Sequence, residues 1–446
     1  MSRYIPLTER DKEEMLKEIG VSSIDELFSS IPPELRFKGT IDIEPIKEEA
    51  SLVEYFKKIE AQNRFSDKKI FLGAGAYNHY IPYAVDFLSM RSEYLTPYTP
   101  YQPEVSQGNL AATFEYQTYI AALTGLEVAN ASMYEGATAT AEAGLMALRI
   151  KKGKIALAKS LHPQYKEVIY TYLEKQNYEI IEIGYEEDGR INLEELDEKI
   201  DNTFSAFIVG YPNFFGIVED LKSIHEILRE KKVLLITSTW EPLALALIVP
   251  PGKTGAEIAV GEAQSFGLPL AYGGPYLGFF ATLKKHVWKM PGRLVGMTKD
   301  VEGKRGFVLT LSAREQHIRR QRATSNICSN EAWCALRVAI YLSLLGRKGL
   351  RKLALLNHKR AVKALEMLEE KGFKAKFTGP FFNEFVIDVG QDGEEFRDKL
   401  LNRGLVAGYP IGKDYPKLKN CLLLTFTEMN SPEDIGTLVK EMEALK

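Results

Sequence analysis

Between about Phe71 and about Leu311, short apolar runs alternate with amphipathic stretches, and this alternation constrains the fold more than any other feature of the chain. Ile155-Ala156-Leu157-Ala158 reads as a strand and Gln164 to Leu173 as a helix. Glu179 to Ile183, Ala206 to Val209 and Val233 to Thr237 are further apolar or β-branched runs, separated by helical stretches such as Leu221 to Glu230. Strand–helix alternation of this kind predicts an α/β fold, a mostly parallel sheet with helices on both faces. In such sheets ligands collect at the carboxyl ends of the strands. The residues just beyond each apolar run are therefore the ones to examine for chemistry.

The flanking segments differ in character. Residues 1–65 read as an N-terminal helical arm: Thr8 precedes a charged helix, Ser23 and Glu26 have capping-box spacing, and Ile31-Pro32-Pro33 ends the unit. Such a segment either wraps a neighbour or forms a separate small domain. Residues 66–325 form the large α/β domain. Residues 326–446 read as a smaller α+β domain, with helical patterns over Glu331 to Leu345 and Leu350 to Lys371. Strand-like runs follow at Phe382 to Val389 and Cys421 to Phe426, with a helix over Gly393 to Asn402 between them. The last helix is capped by Ser431-Pro432-Glu433-Asp434.

Composition removes several classes of function. The chain has 446 residues and a net charge of −3, which argues against a broad nucleic-acid or anionic-membrane surface. The longest apolar stretch, Leu243 to Val249, is too short to span a bilayer, and Met1 to Met15 has no apolar signal core. Cys328, Cys334 and Cys421 have no metal-ligand spacing and form no even disulfide set. The expectation is a cytoplasmic protein.

The candidate site residues follow the apolar runs. Gly136 and Thr138 open an alanine-rich helix. Small residues there let backbone N–H groups approach an anion, so this is either a phosphate seat or an ordinary helix N-terminus. His162 follows the Ala156 to Ala158 strand end and could stack on a pyridine ring or serve the core. Asn213 could bond a ring hydroxyl or cap its turn. Glu241 could hold a pyridine nitrogen protonated or cap a turn, but its length and its neighbour Trp240 fit a pyridine poorly. Gln264 follows the run Ala256 to Val260 and precedes the glycine-rich turn Tyr272 to Phe279. Pyridoxal-phosphate enzymes of the aminotransferase-like fold hold their cofactor lysine at such a position. There is no lysine between Lys253 and Lys284. Two further segments stand out. Tyr98, Tyr101, Gln102 and Glu104 lie on a proline-stiffened segment suited to a subunit interface, a substrate pocket or a loop packed on the core. Arg314 to Arg322 is a basic run that ends in Thr324, Ser325 and Asn326, a solvated loop or an anion contact.

Taken together, Phe71 to Tyr77, Thr99 to Glu104, Tyr134 to Ala139, Gly267 to Phe279 and Arg314 to Arg320 resemble the glycine cleavage system P-protein (glycine decarboxylase) family. The resemblance is to its alpha subunit (subunit 1) form. Arg3-Tyr4-Ile5-Pro6 and Ile19-Gly20-Val21 add to it, and it covers nearly the whole chain. Glu241 is a departure, since the alpha pattern suggests an aspartate followed by proline.

That resemblance implies an aminotransferase-like type I pyridoxal-phosphate fold and a heterotetramer of two alpha and two beta chains. Glycine would be decarboxylated and its aminomethyl group passed to the lipoyl group of the H-protein. Pyridoxal phosphate would sit on the beta subunit's lysine. This chain would complete the pocket with Tyr98, Tyr101, Gln102 and Glu104, keep only vestiges of a cofactor site, and reach the partner's cofactor through Thr324, Ser325 and Asn326. Two other readings stay open at this stage: a self-sufficient pyridoxal enzyme using a displaced lysine such as Lys253, or a purely structural partner.

Overall fold

A seven-stranded sheet positions everything that follows. The computed structural model describes residues 7–43, 45, 48–63, 65, 67–327 and 331–446. Arg3 to Pro6, Cys328 and Ser329 lie outside the described residues. The chain divides into two compact units, Met1–Ser66 and Asp67–Lys446.

In the first unit, the helix Glu9–Ile19 starts with a capping box. Thr8 Oγ1 accepts from Asp11 N at 3.2 Å, and Asp11 Oδ2 accepts from Thr8 N at 2.7 Å. The box expected at Ser23 does not form: Ile24–Phe28 is a 3-10 turn whose N-cap side chain makes no capping bond. Glu26 instead pairs with Ser22. The Glu26 carboxylate reaches back one residue further than a capping box requires, to the backbone N–H and hydroxyl of Ser22.

In the second unit the strand order is Val128–Ala129, Gly278–Thr282, Ile258–Glu262, Leu234–Thr239, Phe204–Gly210, Lys154–Ala158 and Ile180–Ile183. Gly278–Thr282 runs antiparallel to both its neighbours; the remaining pairs are parallel. Phe204–Gly210 and Leu234–Thr239 are buried at every position, as strands covered on both faces must be. Their side chains alternate between two cores. Ile155, Leu157, Ala206, Ile208, Leu234 and Ile236 face one; Ala156, Ala158, Phe207, Val209 and Leu235 face the other. The helix Gly136–Ile150 approaches one face closely because Ala139, Ala141, Ala143 and Ala147 leave it thin there. Leu221–Glu230 buries Leu221, Ile224 and Leu228 on one stripe and is capped by Asp220.

A second sheet of four antiparallel strands follows, in the order Lys374–Ala375, Glu384–Asp388, Cys421–Thr425, Tyr409–Pro410. Lys69–Phe71 pairs in parallel with Leu405–Ala407, so the chain entering the large sheet is clipped to the C-terminal region. Between the sheets runs Ala332–Glu370, broken at Gly346 (φ 58°, ψ 177°), a conformation essentially reserved for glycine. This break separates the two helical patterns legible in the sequence. Cys334 to Ala354 pack into a core of the large sheet, and Ala361, Ala364 and Leu368 into that of the small one.

Candidate functional site

His162, Asn213, Glu241 and Gln264 all lie just beyond the carboxyl ends of parallel strands, and all are buried. Three of them bond a single segment of this chain, Ala74 to Tyr80, and Glu241 also caps its own turn by accepting from Leu243 N at 3.1 Å. His162 Nε2 lies 2.9 Å from the Ala74 carbonyl. Gln264 Oε1 accepts from Tyr77 N at 2.9 Å, while its Nε2 donates to the carbonyls of Tyr77 (3.0 Å) and Leu268 (2.8 Å). Glu241 Oε2 lies 3.0 Å from His79 Nε2.

The small sheet holds the same segment from the other side. Glu384 accepts from Ala74 N (2.9 Å), from Thr425 Oγ1 (2.8 Å) and from Tyr77 Oη (2.7 Å). Burial pushes its carboxyl up to about 7. Glu428 accepts from Tyr80 N at 2.7 Å and pairs with His79 Nδ1 at 2.9 Å. Burial pulls the His79 imidazole down, but Glu241 and Glu428 on either side outweigh it and raise it to about 10, so His79 is an imidazolium. Glu428, although burial raises it, is held at about 2 by His79. The glycines of this segment have a steric reason. A Cβ on Gly75 (φ +109°) would stand 2.6 Å from His162 Nε2, and one on Gly73 would stand 2.3 Å from Thr425 Oγ1.

The remaining candidates are also engaged within the chain. His162 stacks on Tyr165 (centroids 4.7 Å apart, 25° between planes) and meets Phe214 and Trp240 edge-on. Burial pushes its imidazole down to about 4, so it is neutral. Asn213 donates to the Gly189 carbonyl (2.8 Å) and to Glu219 Oε1 (2.7 Å), and accepts from Phe215 N and Ile217 N. Lys253 is exposed on the 3-10 turn Pro251–Lys253.

Two carboxylates take the backbone N–H groups at the start of Gly136–Ile150. Glu135 accepts from Ala137 N (2.5 Å) and Thr138 N (3.0 Å). Glu262 Oε2 accepts from Gly136 N at 3.0 Å. Glu262 Oε1 accepts from Gln264 N (3.0 Å) and Leu277 N (2.9 Å), so one carboxyl ties the helix start, position 264 and the glycine-rich turn together. Burial pushes Glu262 up to about 7. Tyr165 fills the remaining space: a Cβ on Gly136 would lie 2.2 Å from its Oη.

The aromatic segment faces outward. Tyr98 and Tyr101 are 82% and 51% exposed, and Gln102 and Glu104 are exposed too. Tyr98 lines a cavity of about 400 Å³ together with Tyr94, Pro275, Arg293 and Trp333. In the basic run, Arg314 is buried and donates to the backbone carbonyls of Leu311, Met290 and Gly292. Ser325 Oγ donates to Glu142 Oε1 at 2.7 Å, Thr324 is half-buried with its N–H on the Arg314 carbonyl, and Asn326 is exposed.

Several residues of this network do not stand out in the sequence. Glu262 does carry a signal, as a carboxylate ending an apolar strand. His79 and Glu428 carry none, because 349 positions separate them.

This architecture is the aminotransferase-like type I pyridoxal-phosphate fold. It superposes on a cysteine desulfurase from Thermococcus onnurineus NA1 with a TM-score of 0.62 at 14% identity, covering 85% of this chain and 95% of that one. Against aspartate aminotransferase from Thermus thermophilus the TM-score is 0.58 at 15% identity, over 90% and 97%. Within that fold the chain belongs to the glycine cleavage system P-protein family, whose model matches residues 2–442. It is 50% identical over the full length of both chains to the probable glycine dehydrogenase (decarboxylating) subunit 1 of Bacillus cytotoxicus. The corresponding protein of Bacillus cereus is 48% identical over the same coverage. A crystal structure of glycine decarboxylase (P-protein) in inhibitor-bound form superposes with a TM-score of 0.90 at 42% identity, covering all of both chains.

Proposed function

We propose that this chain is the lysine-free subunit of a glycine decarboxylase. In this reading it assembles with a beta subunit as two alpha and two beta chains. The assembled enzyme decarboxylates glycine and delivers the aminomethyl group to the lipoyl group of an H-protein. Pyridoxal phosphate belongs to the partner subunit, where it supplies the electron sink for loss of the carboxylate. This chain shapes the pocket and the assembly.

The observation that carries the reading is Gln264. We take its place just beyond the strand Ile258–Glu262 as the lysine position of the fold, and its amide is committed to Tyr77 and Leu268. The residues around it do not fit pyridoxal phosphate. The phosphate's backbone donors already serve Glu135 and Glu262, which leaves no free N–H at the helix start to cradle it. The histidine that would stack on the ring stacks on Tyr165. Glu241, in place of a pyridinium partner, serves His79. We therefore read Gly136, Thr138, His162, Asn213, Glu241 and Gln264 as a former cofactor site now serving the fold.

The exposed face supports the rest. Tyr83, Phe87, Tyr98 and Val105 are 83%, 72%, 82% and 79% exposed, large side chains open to a partner. Tyr98, Tyr101, Gln102 and Glu104 are its polar-tipped part and form the pocket wall in this reading. Thr324 and Asn326 remain candidates for reaching the partner's cofactor; Ser325 would have to leave Glu142 to do so. The arm of residues 1–65 wraps the partner, in keeping with its exposed Leu35, Phe37, Ile41 and Ile43. Reconstitution with the beta subunit tests the pocket: Tyr101→Ala and Glu104→Ala should impair glycine decarboxylation in a correctly assembled enzyme. Unchanged glycine kinetics in both variants would leave the chain a scaffold only.

A further inference from the structure

The segment Thr99 to Glu104 and the basic run after Arg314 are far apart in sequence, and the structure joins them through Arg293. Arg293 is 7% exposed. Its Nη2 donates to Tyr101 Oη at 3.1 Å, and its guanidinium carbon lies 5.5 Å from the centroid of the Tyr101 ring. Its Nε lies 3.4 Å from Glu315 Oε2. The same carboxylate oxygen lies 3.5 Å from His317 Nδ1, and the His317 ring meets Tyr101 edge-on at 5.5 Å. Tyr101, Arg293, Glu315 and His317 thus form a closed ring of contacts.

Arg293 is itself held in place. It follows Gly292 (φ +76°), in a turn whose Met290 and Gly292 carbonyls take the Arg314 guanidinium. The Arg293 carbonyl accepts from Ala131 N at 2.8 Å. Arg314 therefore faces inward onto this turn and Glu315 onto Arg293, while His317, whose side chain is 40% exposed, lies against Tyr101 from the solvent side. A buried guanidinium ion-paired with a carboxylate and presenting one donor to a phenol can hold a ring in one orientation. A lysine could supply the charge but not the fork.

We propose that Arg293 is a positioning residue for Tyr101, with Glu315 and His317 completing its support. The set pins the inner side of the ring while its outer half stays open to the partner subunit. This rests on the reading of Tyr101 as part of the pocket wall. Tyr101 then meets glycine or the partner's site with its ring already ordered, and no ordering cost is added on binding.

The test is a double-mutant cycle in the reconstituted alpha–beta enzyme, with Tyr101→Phe, Arg293→Lys and the pair, followed as glycine KM and kcat separately. Each single variant is expected to raise KM about 3- to 10-fold with kcat little changed, the effect of one lost hydrogen bond. The double variant is expected to be no worse than the worse single one. Glu315→Gln, which keeps the shape, is expected to shift KM in the same direction. Effects that multiply in the double variant would overturn the proposal. So would an unchanged KM in Arg293→Lys and Glu315→Gln while Tyr101→Ala raises it. If Tyr101→Ala itself leaves glycine kinetics unchanged, the pocket-wall reading fails first, and the positioning role with it.

Discussion

The side-chain amide of Gln264 holds both backbone groups of Tyr77, accepting from its N–H at 2.9 Å and donating to its carbonyl at 3.0 Å. This is the exchange a neighbouring strand would make, performed here by one side chain that is 1% exposed. The remaining amide hydrogen goes to the Leu268 carbonyl, so the group has no spare donor. Position 264 therefore joins the end of a central strand to the segment threaded between the two sheets.

Restoring a lysine at this position should not restore a site. An ammonium group cannot accept from Tyr77 N–H, and it enters a dry environment. Gln264→Lys should lose about 2–4 kcal/mol of stability in urea unfolding. It should also take up no pyridoxal phosphate at residue 264 after borohydride reduction. A variant as stable as the parent would contradict the role given to the amide.

His79 should be the most pH-sensitive element of the fold on the alkaline side. Its folded-state value of about 10 lies above the ordinary 6.5, so its stabilisation is complete below about 6.5 and is lost as pH rises through about 10. Glu428, held at about 2, gives the mirror case: its contribution is present above 4.5 and is lost as pH falls toward 2. Replacing His79 with Leu leaves Glu241 and Glu428 buried without their cation. The expected loss is about 3–5 kcal/mol at pH 7, shrinking toward pH 10. A loss independent of pH would show that the three groups are not an ion triad.

Glu262 should act with the sign opposite to that of Glu428, in a more acidic window than His79. Its carboxyl is raised by burial from 4.5 to about 7, so between those values the folded state holds a proton that the unfolded chain has released. Stability therefore falls as pH rises across that window. Glu262→Gln removes this dependence but costs the acceptor for Gly136 N. The variant should be less stable than the parent at pH 5 and gain on it by roughly 2–3 kcal/mol by pH 8. Thermal melting at the two pH values decides it: a gap that does not narrow would count against an ionisable, buried Glu262.

A rigid steric test is available at the helix start. Gly136→Ala places a methyl group 2.2 Å from the Tyr165 hydroxyl and 3.0 Å from Glu262 N, both residues being buried. The expected cost is about 1–3 kcal/mol, and the double variant with Tyr165→Phe should recover part of it. Melting temperatures of the four proteins check this.

Much of the fold was legible because its strands are uninterrupted apolar runs. The runs Ala206 to Val209 and Val233 to Thr237 fall on the strands Phe204–Gly210 and Leu234–Thr239, and Leu221–Glu230 shows its buried stripe in the spacing of Leu221, Ile224 and Leu228. That His162, Asn213, Glu241 and Gln264 each follow a strand was legible too. The partners of those positions were not. His162 meets Ala74 across 88 residues, Glu241 meets His79 across 162, and Gln264 meets Tyr77 across 187. No local pattern encodes such pairings. Arg314 shows the same limit: in sequence it heads a basic run, yet in the fold it is 5% exposed and bonded to carbonyls. Local charge says nothing of which side chain turns inward. The Ser23 box failed for a nearer reason, since Glu26 is taken by the N–H and hydroxyl of the preceding Ser22.

The most direct test of the central claim is cofactor trapping in the assembled enzyme. The chain would be mixed with its beta partner and pyridoxal phosphate, reduced with borohydride, and each subunit weighed. Glycine decarboxylation would be measured before reduction for each chain alone and for the mixture. The account predicts one adduct on the partner, none specific to this chain, and activity only in the mixture. A stoichiometric adduct on a lysine of this chain, with activity in its absence of partner, would contradict it.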